Sequence, residues 1–181
     1  MDRRISVIRV FPNAIVRAAK AEGDYWLSEA KMKAAAANDK GGFQAAMAAL
    51  KPYIVAKHYE PISGDVELIP GIRAIAAFGH TPGHTVYLVS SKGQRLLLWG
   101  DLMHVAAAQF PNPAVTLKFD SDLPAAAASR QKIFAEAAAK GYLAGGAHLS
   151  FPGLGHLRAD ESAAGENKSY TYVPIAYRSV P

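Results

Sequence analysis

Cysteine is absent from the 181 residues. That one absence removes disulfides, thiolate metal ligands and a cysteine nucleophile, so any metal must be held by imidazole and carboxylate groups. Long apolar runs are lacking too. Each candidate is broken by Arg, Lys, Gly or Pro before it reaches the roughly 20 residues that a bilayer-crossing helix needs, and no membrane partner is expected. The Arg3-Arg4 pair is followed by only four residues before Arg9, too short an apolar stretch for an export signal. With no other address, cytoplasm and periplasm both stay open. A dense basic run is missing as well. The 20 Lys and Arg exceed the 15 Asp and Glu for a net charge of +5, but they are scattered from Arg3 to Arg178. No nucleic-acid partner is expected from that distribution, and no internal repeat is visible.

What is present suffices for a core. Half of the residues are hydrophobic, and the length suits one domain. Residues 5–18 surround a Pro-Asn turn with β-branched and apolar residues and read as one or two short strands. Over residues 22–54 the composition shifts to Ala, Lys, Met and Leu, with a break at 38–42. This predicts a helical insert of two helices. Four short apolar or β-branched runs follow, at 66–69, 72–77, 85–90 and 95–99, separated by Pro-Gly, Gly-His and Lys-Gly signals. They read as consecutive strands of one sheet. The Ala-dense stretch 124–140, with Gly141 just beyond, predicts a helix with a glycine stop. Residues 142–147 and 170–177 read as a final strand pair, separated by an exposed loop over 153–168.

The chemistry concentrates in three places. In Gly79-His80-Thr81-Pro82-Gly83-His84-Thr85 a Pro-Gly turn joins two strands and projects side chains at a sheet end. The run Leu96-Leu97-Leu98-Trp99 ends in Gly100-Asp101, which delivers a carboxylate at a strand terminus. Residues 142–147 end in His148, followed by the loop Leu149-Ser150-Phe151-Pro152-Gly153-Leu154-Gly155-His156. Nitrogen and oxygen ligands at the ends of strands are what a divalent metal site on a sheet edge requires, and zinc is the first choice. One Asp between two His suits a two-metal hydrolytic centre.

These strings, HTPGHT, a strand ending in GD and a strand ending in AHLSFPGLGH, resemble the second half of the metallo-β-lactamase superfamily. Within it they are most similar to the methyl parathion hydrolase-like group, and LLLWGDLMHVAAAQF and YTYVPIAY extend the likeness over nearly the whole chain. The resemblance implies an α+β fold: a partial αββα sandwich with one mainly antiparallel sheet and flanking helices, making residues 1–181 a single incomplete domain. It implies His84, Asp101 and His148 as metal ligands, with Asp101 bridging two zinc ions and Asp101 and His148 at the catalytic centre. It implies Trp26, Phe43, His104 and Phe119 as the substrate-pocket lining. The activity implied is hydrolysis of a small ester, lactone or organophosphate triester by a hydroxide activated between two zinc ions. The family's HxHxDH motif has no counterpart among the six histidines, His58, His80, His84, His104, His148 and His156. A truncated or split form is therefore expected, with a second copy or a complementing amino-terminal half covering the inner face of the sheet.

Each residue also has a plainer reading. His80 is either a partner of a metal ligand or a turn-stabilising residue, and His156 and His104 either orient a ligand or touch substrate. His58, beside Lys57, reads as a solvated surface residue. Trp26 and Phe43, without the resemblance, would be packing aromatics. Asp120 and Asp122, which precede a helix, read as caps. The function from another class is a non-catalytic remnant acting as a binding or self-associating module, with His84, Asp101 and His148 reduced to hydrogen bonding.

Overall fold

A computed structural model describes residues 9–160 and 168–176, and the chain divides into two compact units, 1–63 and 64–181. In the first unit, strands β1 (Val16–Ala19) and β2 (Tyr59–Ile62) pair in parallel. Between them in sequence run helices α1 (Lys20–Trp26), α2 (Glu29–Ala34) and α3 (Lys40–Val55). Three helices thus stand where two were expected. The extra break falls at Ser28, whose side chain accepts from the Lys31 N–H at 3.3 Å and starts a new helix. Of the strand expected over 5–18, only β1 forms among the described residues, and positions 1–8 lie outside them. The rings of Tyr25, Trp26 and Phe43 pack together with centroids 4.7 to 5.1 Å apart, and Phe43 is buried.

The second unit is one sheet of seven strands in the order β3 (Val66–Ile69), β4 (Ile72–Ala76), β5 (Thr85–Ser91), β6 (Gln94–Leu98), β7 (Leu143–Gly145), β8 (Leu154–Ala159) and β9 (Tyr170–Pro174). All neighbours are antiparallel except β6 and β7. Those two strands are joined through the short helix α4 (Ala106–Gln109) and the long helix α5 (Leu123–Lys140). Strands β3 to β6 fall within a residue of their sequence-based bounds, because each is an apolar run closed by a turn. The loop expected over 153–168 is corrected: β8 occupies Leu154–Ala159, between β7 and β9. Glycine and charge in the stretch as a whole masked a local alternation, with Gly155 and Leu157 buried and His156 and Arg158 exposed.

Period-two alternation divides the sheet into two faces. Ile75, Val86, Leu97, Ala144, Leu157 and Tyr170 turn to one side and form the core with Ile133, Phe134 and Ala137 of α5. Ile69, Leu98 and Val173 point to the other, where they are 52%, 41% and 45% exposed. Helix α5 begins where the Asp122 carboxylate accepts from the Ala125 N–H at 3.0 Å, and stops at Gly141, whose φ of 62° is the left-handed conformation glycine adopts most readily. No helix among the described residues is long and apolar enough to cross a membrane.

Urea unfolding should separate two scales of contribution. Phe134→Ala, which empties the centre of the core, is expected to cost about 3–5 kcal/mol, and Asp122→Ala about 1 kcal/mol. Equal effects would mean that α5 does not anchor the core.

Candidate metal centre

The site sits at the sheet edge where β4, β6 and β7 end and β5 begins. Beyond β4 the chain turns back at Thr81, whose carbonyl accepts from the His84 and Gly79 N–H groups at 3.3 and 3.0 Å, placing His80 and His84 on one turn. Their rings meet edge to face at 5.7 Å. Beyond β6, Gly100 has φ of 54°, and a Cβ there would stand 3.1 Å from His84 Nε2. A glycine therefore serves both the bend and the close approach. The ladder between β6 and β7 continues past both strands, through Trp99 N–H to Gly145 O at 2.9 Å and Ala147 N–H to Gly100 O at 3.1 Å. This extension sets Asp101 beside His148. His148 itself takes a φ of 63°, uncommon for a residue with a side chain.

Asp101 is the centre of the cluster. Its Oδ2 lies 3.5 Å from His80 Nε2 and its Oδ1 3.3 Å from His148 Nε2, while its N–H donates to His84 Nε2 at 3.2 Å. With Nε2 accepting, His84 donates from Nδ1 to the Ala77 carbonyl at 3.1 Å. Such a backbone contact fixes the tautomer and ring orientation of a histidine. His104 stacks on His148 at 4.7 Å and lies 4.8 Å from the His80 ring. Its backbone N–H and that of Val105 both donate to Gln109 Oε1, at 2.8 and 2.9 Å, and Gln109 is fully buried. The His104 Nδ1 is buried without a hydrogen-bond partner. Burial, then the neighbouring His80 and His148 rings, lower the His104 pKa below its ordinary 6.5, against the weaker pull of Asp101 and Asp120.

Behind His80 stands a buried ionic pair. His80 Nδ1 lies 3.3 Å from Asp120 Oδ1; the other Asp120 oxygen accepts from the Leu117 N–H at 3.3 Å and lies 3.7 Å from Arg130 Nη2. Asp120 is thus not a helix cap, as expected, but the support of an imidazole. Asp122 is the cap. Arg130 donates to the carbonyls of Leu102, Pro113 and Val115 at 2.6 to 2.8 Å.

A His80, Asp101 and His104 set places one ligating atom from each within 4.8 Å of the others, and the orphaned His104 nitrogen is the kind of atom a divalent ion satisfies. Imidazole and carboxylate donors without sulfur fit zinc and its neighbours in the divalent series.

No protein-family model matches the sequence. Over 76 residues the chain is 34% identical to an N-acyl homoserine lactonase from Bacillus sp., a stretch amounting to 41% of this chain and 30% of that protein. Its structure superposes on the hydrolase AbOPH of the beta-lactamase superfamily with a TM-score of 0.82 and 29% identity, covering 96% of this chain and 59% of that one. On AidC, a dizinc quorum-quenching lactonase solved with a product, the TM-score is 0.79 at 28% identity, covering 95% of this chain and 58% of that one. The fold is that of the metallo-β-lactamase superfamily. The chain spans less than two thirds of these metallo-β-lactamase-fold relatives.

Of the residues expected in the site, His84, Asp101, His148, His80 and His104 come together in this fold, and the Phe119 ring stands 6.0 Å from His104 while 65% exposed. His156 does not join them, which corrects its expected place beside a ligand. It pairs with Leu143, the first residue of β7, and its Nδ1 lies 3.0 Å from the Tyr142 carbonyl. Antiparallel β8 carries it away from the edge where β7 ends. Trp26 and Phe43 belong to the first unit and pack there on Tyr25. His58, half-buried, is 3.1 Å from Arg9 Nη1. Gln109 and Arg130 were not foreseen. The available signal was Arg130 itself, a charge within the apolar stripe formed by Ala126, Ile133, Phe134 and Ala137.

Because the folded protein binds a proton at His104 less readily than the unfolded chain, this group stabilises the fold fully above pH 6.5 and progressively less as pH falls through its lowered folded value. In chelator, to keep metal from intervening, thermal stability should drop between pH 7 and 5, and His104→Gln should flatten that slope. An unchanged slope in the variant would remove His104 as its source.

Proposed function

We propose that the chain carries the active-site half of a zinc-dependent hydrolase acting on small ester-like molecules, with lactones the first choice and organophosphate triesters next. The observation that carries this reading is the convergence on Asp101 of His80 and His84 from the β4–β5 turn and of His148 from beyond the end of β7. The lactonase named among the relatives supports the substrate class, and the HTPGHT and GD strings support a place in the methyl parathion hydrolase-like group. His84, Asp101 and His148 are read as the ligands, Asp101 bridging a pair of ions. Bound there, zinc would supply Lewis acidity and lower the pKa of water toward neutrality.

The chain's own residues account for the rest. Asp101 turns one oxygen toward His80 and the other toward His148, so its carboxylate would be open to a metal on either side. Asp120 and the Ala77 carbonyl fix the His80 and His84 rings from behind. The exposed Phe119 ring beside His104 offers an apolar wall for an acyl or alkoxy arm. Zinc-reconstituted protein is expected to open an N-acyl homoserine lactone and to cleave an aryl ester. Asp101→Asn should lower kcat/KM at least about 100-fold, the scale on which loss of an aligned electrostatic group is felt. Turnover that survives the substitution, or zinc-loaded protein no faster than free zinc, would remove the hydrolase reading.

The second reading is a self-associating module without catalysis. The exposure of Ile69, Leu98 and Val173 on the sheet face away from α5 supports it, as does the Asp101 N–H bond that engages His84 Nε2. Light scattering decides the association. Self-association that Leu98→Glu disrupts is its expected signature, and a compact monomer at high concentration would exclude it.

A further inference from the structure

An imidazole nitrogen and a carboxylate oxygen at contact distance share a cation, either a proton or a metal ion. His80 Nδ1 lies 3.3 Å from Asp120 Oδ1 and its Nε2 3.5 Å from Asp101 Oδ2, so the ring spans the two carboxylates and aims Nε2 at Asp101. Asp120 is completely buried and faces the buried Arg130, so this orientation belongs to the core rather than to a surface rotamer. A carboxylate behind an imidazole that points at a second ligand is the outer-sphere arrangement of metal-binding histidines.

Two further observations point to the same place. His104 Nδ1 is buried without a partner, on a ring held between His80 and His148. Its backbone is held by the buried Gln109 side chain. His84, by contrast, has Nε2 engaged by the Asp101 N–H and Nδ1 at the Ala77 carbonyl.

We infer that His80, Asp101 and His104, with Asp120 as the outer partner of His80, form a mononuclear divalent-cation site that this chain fills first, before any site built on His84. His148, 3.3 Å from the other Asp101 oxygen, stands beside this set rather than within it. The ligating atoms of the first three lie within 4.8 Å of one another. Zinc bonds of roughly 2.0–2.1 Å put tetrahedral ligands about 3.4 Å apart, so small side-chain rotations complete the site. The reading shares Asp101 with the proposed hydrolase but does not require hydrolysis.

The test is titration of chelator-stripped full-length protein with Co²⁺ and Zn²⁺, read by calorimetry and by the Co²⁺ ligand-field bands. One equivalent of four-coordinate Co²⁺ is expected. His80→Ala and His104→Ala should each weaken it at least tenfold, and Asp120→Asn about 10- to 100-fold. His156→Ala, outside the cluster, should change the first affinity less than threefold. Melting of each metal-free variant identifies any that unfold, and ring ¹⁵N shifts of the wild-type histidines report ligation without a variant. A first equivalent lost in His84→Ala but kept in His104→Ala, or a His104 ring unshifted by Zn²⁺, would overturn this site and leave the hydrolase ligand set standing. No binding at all would also overturn it, and hydrolysis would then be judged by the lactone and ester assay alone.

Discussion

A guanidinium buried to 1% exposure must have its donors met inside the protein, and much of the second unit is arranged around doing so for Arg130. Three carbonyls from the chain between β6 and α5 accept from it, at Leu102, Pro113 and Val115. Asp120 supplies the countercharge. Burial alone would depress the Arg130 pKa, and Asp120 opposes that. The consequence is mechanical as much as electrostatic. A loop of some twenty residues is tied to the helix that fills the core, and the same carboxylate then sets the rotation of His80. Core packing and imidazole orientation are therefore one constraint, and loosening α5 would be felt at Asp101.

The second determinant is the one parallel pair in an otherwise antiparallel sheet. Strands β6 and β7 run the same way because the chain returns through α5 before entering β7. Both therefore end at the same edge, and residues just beyond each end become neighbours. Asp101 and His148 meet for this reason. His156 is the counterexample, since it is close to His148 in sequence but reverses direction with β8. Ligands gathering beyond the carboxyl ends of parallel strands is a general property of such crossovers.

Much of this was readable from residue order. The strands from Val66 to Leu98, helix α5 with its Asp122 cap and Gly141 stop, and the strand-end positions of Asp101 and His148 all follow from local pattern. What escaped had a non-local cause or a diluted signal. The alternation of β8 lay within a Gly- and charge-rich stretch, and β2 is a four-residue strand containing Pro61. Asp120 and Asp122 look alike to a capping rule. Only the arrival of His80 and Arg130, 40 and 10 residues away in sequence, distinguishes them. Burial of Gln109 likewise answers to His104 and Val105, whose backbone donors no sequence pattern announces.

The crowding of imidazoles around one carboxylate bears on what kind of positive charge the site is built for. His80, His104 and His148 lie within 4.8 Å of a neighbouring ring, centroid to centroid. Burial first, and then the charge that a proton would set beside the neighbouring His80 and His148 rings, lower the His104 pKa. A divalent ion at the Asp101 oxygens reverses the preference, because each ring then contributes a lone pair and all of them gain together. Proton and metal thus compete for the same atoms, and the buried Asp120 takes no side by charge alone. Its geometry does take one. By holding Nδ1 of His80 at 3.3 Å, it aims Nε2 at the Asp101 carboxylate, where a divalent ion can engage His104 as well and a single proton cannot.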